Sequence, residues 1–227
     1  MSDPVRLTLQ LAASISNGIC LSQTPAAAGA MTIAGSLATA GVATMDVARR
    51  VYVASTGADT TVIFTIVGTN RDGNPITDTV TGVTSGTPVA STYDFLTVTG
   101  VSASAATAGA ITVGTGAIGS SAWVLVAPQY ISWALSAAVK IISGSLTYTV
   151  EHTYDDPNKS ISPSMGGFVV GWNSAVPPVA WSHPVLIGLS ASGEGTYNAQ
   201  PIMAHRLTIT AGNGLAAFYS LQNGQRS

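Results

Sequence analysis

The chain has 227 residues, of which only 8% are charged, with 8 Lys+Arg against 10 Asp+Glu and a single cysteine. A soluble domain ordinarily carries about 25% charge, so this composition excludes long helical arrays, which need plentiful Glu, Lys and Leu, and charge-rich disordered chains. A net charge of −2 offers nothing to neutralise a run of phosphates, so nucleic acid is not an expected partner, and one cysteine cannot staple the fold internally.

The first residues, MSDPVRLTLQLAAS, lack the basic start and long apolar stretch of a secretory signal. Leu7, Leu9 and Leu11 alternate with Thr8 and Gln10, which is the period of a strand. Residues 1–40 otherwise show little core pattern and are expected to form an extended N-terminal arm with a first strand. Val51 and Val53 flank Tyr52 in a further strand. Val62, Phe64 and Ile66 alternate with Ile63, Thr65 and Val67, so this strand is apolar on both faces and is expected to be central. Asp72-Gly73-Asn74-Pro75 has the chemistry of a hairpin connector, because Gly and Asn accept positive φ and Pro ends the ladder. Ile76, Asp78 and Val80 follow in a Thr-rich stretch. Ser102 to Ala110 contains alanines without a helical stripe and reads as a loop.

A boundary is expected near Ala127-Pro128-Gln129. Beyond it, Leu146, Tyr148, Val150, His152 and Tyr154 line one face of a strand, and Thr147, Thr149, Glu151 and Thr153 the other. Asp155-Asp156-Pro157-Asn158 closes it. Residues 139–158 echo residues 53–75 in plan: strand, small turn at Gly57 or Gly144, apolar strand, acidic turn with Pro. His205, Leu207 and Ile209 oppose Arg206, Thr208 and Thr210, and Gly212-Asn213-Gly214 suits a short hairpin between the last two strands. The expected fold is all-β: one or two antiparallel β-sandwich modules of jelly-roll or Ig-like type, with bounds 1–40, 41–127 and 128–227. Phe64, Tyr148, Val150, Leu207 and Ile209 are the expected core. No apolar run approaches the about 20 residues of a membrane-spanning helix, so no membrane partner is expected.

Catalytic chemistry finds little support. The three histidines, His152, His183 and His205, lack the H-E-x-x-H type of spacing that a zinc site would show, and they read as packing residues. There is no G-x-S-x-G, and Cys20, between Ile19 and Leu21, reads as a buried, inert thiol. Glu151, Asp155 and Asp156 lie too close in sequence to span a glycosidase groove by themselves. The glycines of GAITVGTGAIGSS have no lysine and no following helix, as a phosphate loop requires. Asp72, Asn74 and Asp78, or Asp155, Asp156 and Asn158, could offer oxygen ligands to calcium, but the same residues build Asx turns without metal. No catalytic residue, metal or cofactor is expected.

The tryptophans are more informative. Trp172 and Trp181 bracket Pro177-Pro178 in MGGFVVGWNSAVPPVAWSHP, a stretch too rich in Gly and Pro for a regular strand yet strongly apolar. Apolar patches of this kind mark contact surfaces, and aromatic anchors dominate their energetics. Trp172, Pro177, Pro178 and Trp181 are therefore the expected interface residues. With so few charges, association of the chain with copies of itself is also expected.

The strings ATMDVARRVYVAS, FTIVGTNRDGNPITDTVTG and YDFLTVTGVSASAATAGAITVGTG, followed by LTYTVEHTYDDP and WSHPVLIGLSASGEGTYNAQPIMAHRLTIT, resemble the β-rich virion structural proteins of tailed bacteriophages. The likeness covers roughly residues 40–225, and its motifs are turns and strand ends. It implies a non-enzymatic virion component assembled in the bacterial cytoplasm: a capsid decoration or cement protein first, a collar or tail component as the alternative; a receptor- or carbohydrate-binding module, with tryptophans as sugar platforms, is a separate alternative. Its implied partners are further copies of the chain and the major capsid protein or head–tail proteins.

Overall fold

The computed structural model describes residues 4–126, 134–157, 177–197 and 202–223. They are all-β, and among them there is no helix, so none long and apolar enough to cross a membrane. In chain order the strands are β1 (Val5–Leu11), β2 (Cys20–Gln23), β3 (Gly29–Ala30), β4 (Ala38–Thr39), β5 (Val42–Ser55), β6 (Ile63–Thr69), β7 (Pro75–Thr81), β8 (Val89–Ala103), β9 (Ile111–Ser120), β10 (Val124–Leu125), β11 (Ala134–Thr153), β12 (Trp181–Ser182), β13 (Gly193–Tyr197) and β14 (Ala204–Asn223). The chain divides into two compact units, Ala13–Gly119 and a second made of Met1–Ala12 with Ser120–Ser227.

In the unit Ala13–Gly119 the strands lie in the order β9-β5-β8-β6-β7, with β2 beside β9, β3 beside β8 and β4 beside β5. The hairpin β6–β7 forms where the turn chemistry places it. Thr69 faces Pro75 across the turn, Gly73 takes φ +80°, and the Asn70 carboxamide accepts the Asp72 and Asn74 amides at 2.9 and 3.0 Å. That Asx turn fixes the register, so Phe64, Ile66, Ile76 and Val80 all reach the same core, with Val51, Val53, Phe95, Val98 and Ile111. β6 is central, between β7 and β8. Of its two apolar faces only one is buried: Ile63 and Val67 are 45% and 40% exposed.

Buried polar groups in this unit tie loops together. The Asp59 carboxylate accepts the Ser55 hydroxyl and the Ala108 and Gly109 amides. Burial alone would raise its pKa, but these hydrogen bonds outweigh burial and hold it below the usual carboxylate value. Asp78, expected only as a strand residue or calcium ligand, accepts the Thr79, Thr92 and Tyr93 amides, so its oxygens join β7 to β8. Cys20 sits in the core, where burial pushes its thiol up to about 12.

The second unit departs from the expected bounds 1–40, 41–127 and 128–227. Residues 5–11 are not a free arm: β1 pairs along its whole length with β14, Val5 opposite Ser220 and Leu11 opposite Gly214. Leu9 and Leu11 are each 1% exposed, and burying one such leucine is worth about 1.5–3 kcal/mol, which a free arm would forgo. Residues 13–40 lie in the other unit. The centre of the second unit is a ribbon of two 20-residue strands, β11 and β14, paired antiparallel from Ala134–Asn223 to Thr153–Ala204.

Gly212-Asn213-Gly214 is not a hairpin between strands. It lies within β14, where Gly144, Ser145 and Leu146 of β11 face Gly214, Asn213 and Gly212. Gly144 and Gly212 take φ +83° and +77°, and a Cβ at Gly144 would sit 2.4 Å from the Asn213 carbonyl oxygen. Glycine is required because both backbones turn sharply while in contact. The echo between residues 53–75 and 139–158 fails here for the same reason: Gly57 lies in a turn outside the strands, whereas Gly144 lies within β11. Beyond these glycines the ribbon returns over itself. His205 and Ser220, 15 residues apart on β14, are in hydrogen-bond contact at 2.7 Å, whereas a straight strand of that length would separate them by roughly 50 Å.

Two substitutions test the first unit. Phe64, which is 0% exposed, should cost about 3–5 kcal/mol when replaced by alanine, read as a shift in urea midpoint; a loss below roughly 1 kcal/mol would contradict its place in the core. Asp59→Asn should cost about 1–3 kcal/mol by weakening charge-assisted hydrogen bonds. Because its folded pKa is depressed, Asp59's contribution is present above the unfolded value and lost as pH falls through the folded one, so the variant's deficit should shrink in acid.

Candidate functional site

The chemistry-bearing side chains of the second unit gather between the two returning halves of the ribbon. His152 and His205 are register partners on β11 and β14; their parity puts both on the face of Tyr148, Val150, Leu207 and Ile209, all 0% exposed. Tyr197, at the end of β13, and Phe218, past the glycine bend of β14, close the cluster from the other half. Tyr197 stands edge-on to His152, His183 and His205, with ring centroids 5.4, 4.5 and 5.9 Å apart, and His205 stands edge-on to Phe218 at 4.9 Å. Thus all three histidines of the chain meet around one tyrosine.

His183 arrives on a strap running along the free edge of β11. Trp181 and Ser182, as β12, pair with His152 and Glu151. The His183 amide donates to the Val150 carbonyl, the Val150 amide to Leu186, and Tyr148 and Leu189 exchange two backbone bonds. The strap turns because His183 Nδ1 accepts the Val185 and Leu186 amides at 3.0 and 3.1 Å. This imidazole does what an Asx side chain does in a turn. It packs where only hydrogen fits opposite: a Cβ at Gly195 would lie 2.6 Å from His183 Cε1.

The cluster is polar and buried. His152 Nδ1, His183 Nε2, His205 Nδ1 and the Tyr197 hydroxyl are buried and have no hydrogen-bond partner among the described residues. Burial lowers the pKa of His152. Burial and then His152 lower that of His183. For His205, burial and then the other two histidines push it down to about 3. The imidazoles surround the tyrosine ring and do not converge on one point, and no group of three potential metal ligands occurs among the described residues. The His205–Ser220 contact has the length of a base–nucleophile pair, but in such a pair a third group orients the base. Here His205 Nδ1 has no partner among the described residues, and Ser220 is 5% exposed. The contact joins the two halves of β14.

On the opposite face, Glu151 accepts Arg206 Nε and the Thr208 hydroxyl at 2.8 Å each. Arg206 also donates to the Ser120 hydroxyl, and its guanidinium lies 4.5 Å from the Trp123 ring centroid. An open groove over β11, β13 and β14 is floored by Ser136 and Ala138 and edged by Glu194, Tyr219 and Leu221.

Of the expected interface residues, Trp172 lies outside the described residues. Pro177 and Pro178 are half-buried. Trp181 is 56% exposed, and Val179, Val185 and Ile187 beside it are 55%, 61% and 51% exposed, while His183 and Leu186 of the same strap point inward at 1% and 0%. Tyr154, expected on the apolar face, is 46% exposed and stacks edge-on over His152 at 5.5 Å. Asn158 of the second calcium reading lies outside the described residues, and Asp155 accepts the Val179 amide at 2.9 Å, at the start of the strap. The sequence reading missed the convergence of the histidines with Tyr197. The shared strand parity of His152 and His205 was legible; the seating of His183 and Tyr197 was not.

No family model matches this chain, and no curated protein matches it.

The cluster makes stability pH-dependent in a defined direction. Histidines whose folded pKa lies below about 6.5 contribute fully above that value, and the contribution is lost as pH falls, because the unfolded chain takes up protons that the folded one refuses. Urea-unfolding stability should fall by up to about 1.4 kcal/mol per pH unit for each histidine that stays neutral. His205→Asn should flatten the profile between pH 6.5 and 4, taken roughly from the ordinary histidine value downward.

Proposed function

We propose that this protein is a non-enzymatic structural component of a tailed-phage virion, acting as a capsid decoration or cement protein through repeated contacts with copies of itself and with the major capsid or head–tail proteins. On this reading the two units are modules of the sandwich type, of jelly-roll or Ig-like kind, and the protein resides in the particle. The observation that carries it is the outward side of the strap, where Val179, Trp181, Val185 and Ile187 are each more than half exposed within nine residues. Leaving so much apolar surface in water is unfavourable by about 25 cal/mol per Å², and a partner surface would remove that cost. The likeness of the strand and turn motifs to phage virion proteins supplies the kind of partner. A collar or tail position uses the same contact chemistry and is the alternative.

Mass spectrometry of purified particles should find the protein at tens to hundreds of copies, roughly the range of repeated virion subunits. The Trp172→Ser/Trp181→Ser double variant should keep its β content by circular dichroism and lose occupancy on the particle. Wild-type occupancy of the double variant, or a stable native monomer absent from particles, would overturn the reading.

A further inference from the structure

The buried histidine cluster and the exposed apolar strap are parts of one device. We propose that His183 is an acid-operated latch: the neutral imidazole holds residues 183–189 against β11, and protonation releases the strap while the β11–β14 ribbon stays folded.

The geometry sets this up at one atom. His183 Nδ1 accepts two strap amides, Val185 and Leu186, so its lone pair is in use and the ring's hydrogen resides on Nε2. An imidazolium has no acceptor. Adding a proton therefore turns Nδ1 into a donor facing two donors and removes both bonds that shape the turn. Nothing nearby compensates the charge. Nε2 is buried without a partner among the described residues and faces Gly195. From β11 the cluster receives His152 and, at its rim, Tyr154; from β13, Tyr197; from β14, His205 with Ser220 and Phe218. The charged groups on these elements are engaged or turned away. Glu151 and Arg206 pair with each other on the opposite face, Glu194 is exposed on the side of β13 away from Tyr197, and Asp155 is hydrogen-bonded to the Val179 amide. Burial and then His152 lower the His183 pKa while the strap is closed, so proton uptake and opening are coupled.

The strap is the element able to move. Between Ser182 and Gly193 it is held by four backbone bonds to Tyr148 and Val150, by Gly188 on the Thr149 hydroxyl and by the Tyr148 and Ser192 hydroxyls, and only His183 and Leu186 anchor it inward over that turn. The ribbon beneath keeps its own pairing, Tyr148 to Thr153 of β11 against Ile209 to Ala204 of β14. Opening exposes Leu186 beside Val185 and Ile187 and so enlarges the apolar surface.

The test is hydrogen exchange by NMR on the full chain from pH 7.5 to 5, corrected for the pH dependence of intrinsic exchange. Protection of the Val185 and Leu186 amides should fall about tenfold or more over that range, since an opened histidine titrates near 6.5, while the Leu207 and Ile209 amides of β14 keep theirs. His183→Asn supplies, through its Oδ1, an acceptor near the Nδ1 position that cannot be protonated, so its strap protection should not change with pH. Constant protection at Val185 and Leu186 in the wild type, or loss in step with Leu207 and Ile209, overturns the latch. So does a folded His183→Asn variant whose strap loosens with acid as the wild type does. The wild-type comparison decides the matter even where the variant fails to fold.

Discussion

The bend in the β11–β14 ribbon is the constraint on which the unit of Met1–Ala12 and Ser120–Ser227 depends. Two strands of 20 residues stay paired through it, so the bend has to be made without a loop, and the register shifts on either side of it, between Ile141 and Ser143 and between Thr147 and Tyr148. Gly144, Gly212 and Gly214 meet that demand. Their positive φ values turn both backbones together, and a side chain on Gly144 or Gly212 would strike the facing carbonyl. The bend brings residues 148–153 with 204–209 to face residues 135–139 with 216–220, and the core forms between them. β1 then finds an edge at Leu215–Ser220 on which to bury Leu9 and Leu11.

The same fold-back explains why the histidines are buried. Polar rings placed between two apolar surfaces lose water and gain few hydrogen bonds, an unfavourable exchange. The loss is limited by the neutral form of the imidazoles, which burial favours, by edge-to-face packing on Tyr197 and Phe218, which is worth about 0.5–1.5 kcal/mol per pair, and by spending lone pairs locally. His183 uses Nδ1 on its own turn, and His205 uses Nε2 on Ser220. The unit Ala13–Gly119 handles buried polarity differently. Asp59, Asp78 and Arg49 each engage backbone groups: Asp59 and Asp78 accept amides, and Arg49 donates to the Gly116 carbonyl and pairs with Asp46. Charge-assisted bonds there do what the neutral contacts of the imidazoles do in the other unit.

The strap connects this interior to the outer surface. Its inward residues complete the cluster and its outward residues form the apolar run on which the proposed virion contact rests. A side chain at the turn thus governs both how tightly the strap closes and how the run is presented. The backbone bonds to Tyr148 and Val150 fix this division, holding His183 and Leu186, three positions apart, inward.

Local chemistry in the sequence determined the all-β class, the hairpin turn at Asp72-Gly73-Asn74-Pro75, the buried set Phe64, Tyr148, Val150, Leu207 and Ile209, and the burial of Cys20. Period-2 alternation and turn residues act over a few positions, and the structure obeys them. Tertiary structure decided the rest. The sequence Gly-Asn-Gly suits a hairpin and a strand bend equally well, and only the facing Gly144 selects the bend. Leu9 and Leu11 show a strand face without showing its partner, so an arm and an edge strand cannot be told apart until β14 lies beside them. The apolar residues Ile63 and Val67 stayed exposed because burial depends on what covers a face, which alternation does not encode. His152, His183, Tyr197 and His205 are spread over 54 positions, and their meeting results from register, strap and bend together, none of which is a local property of the chain.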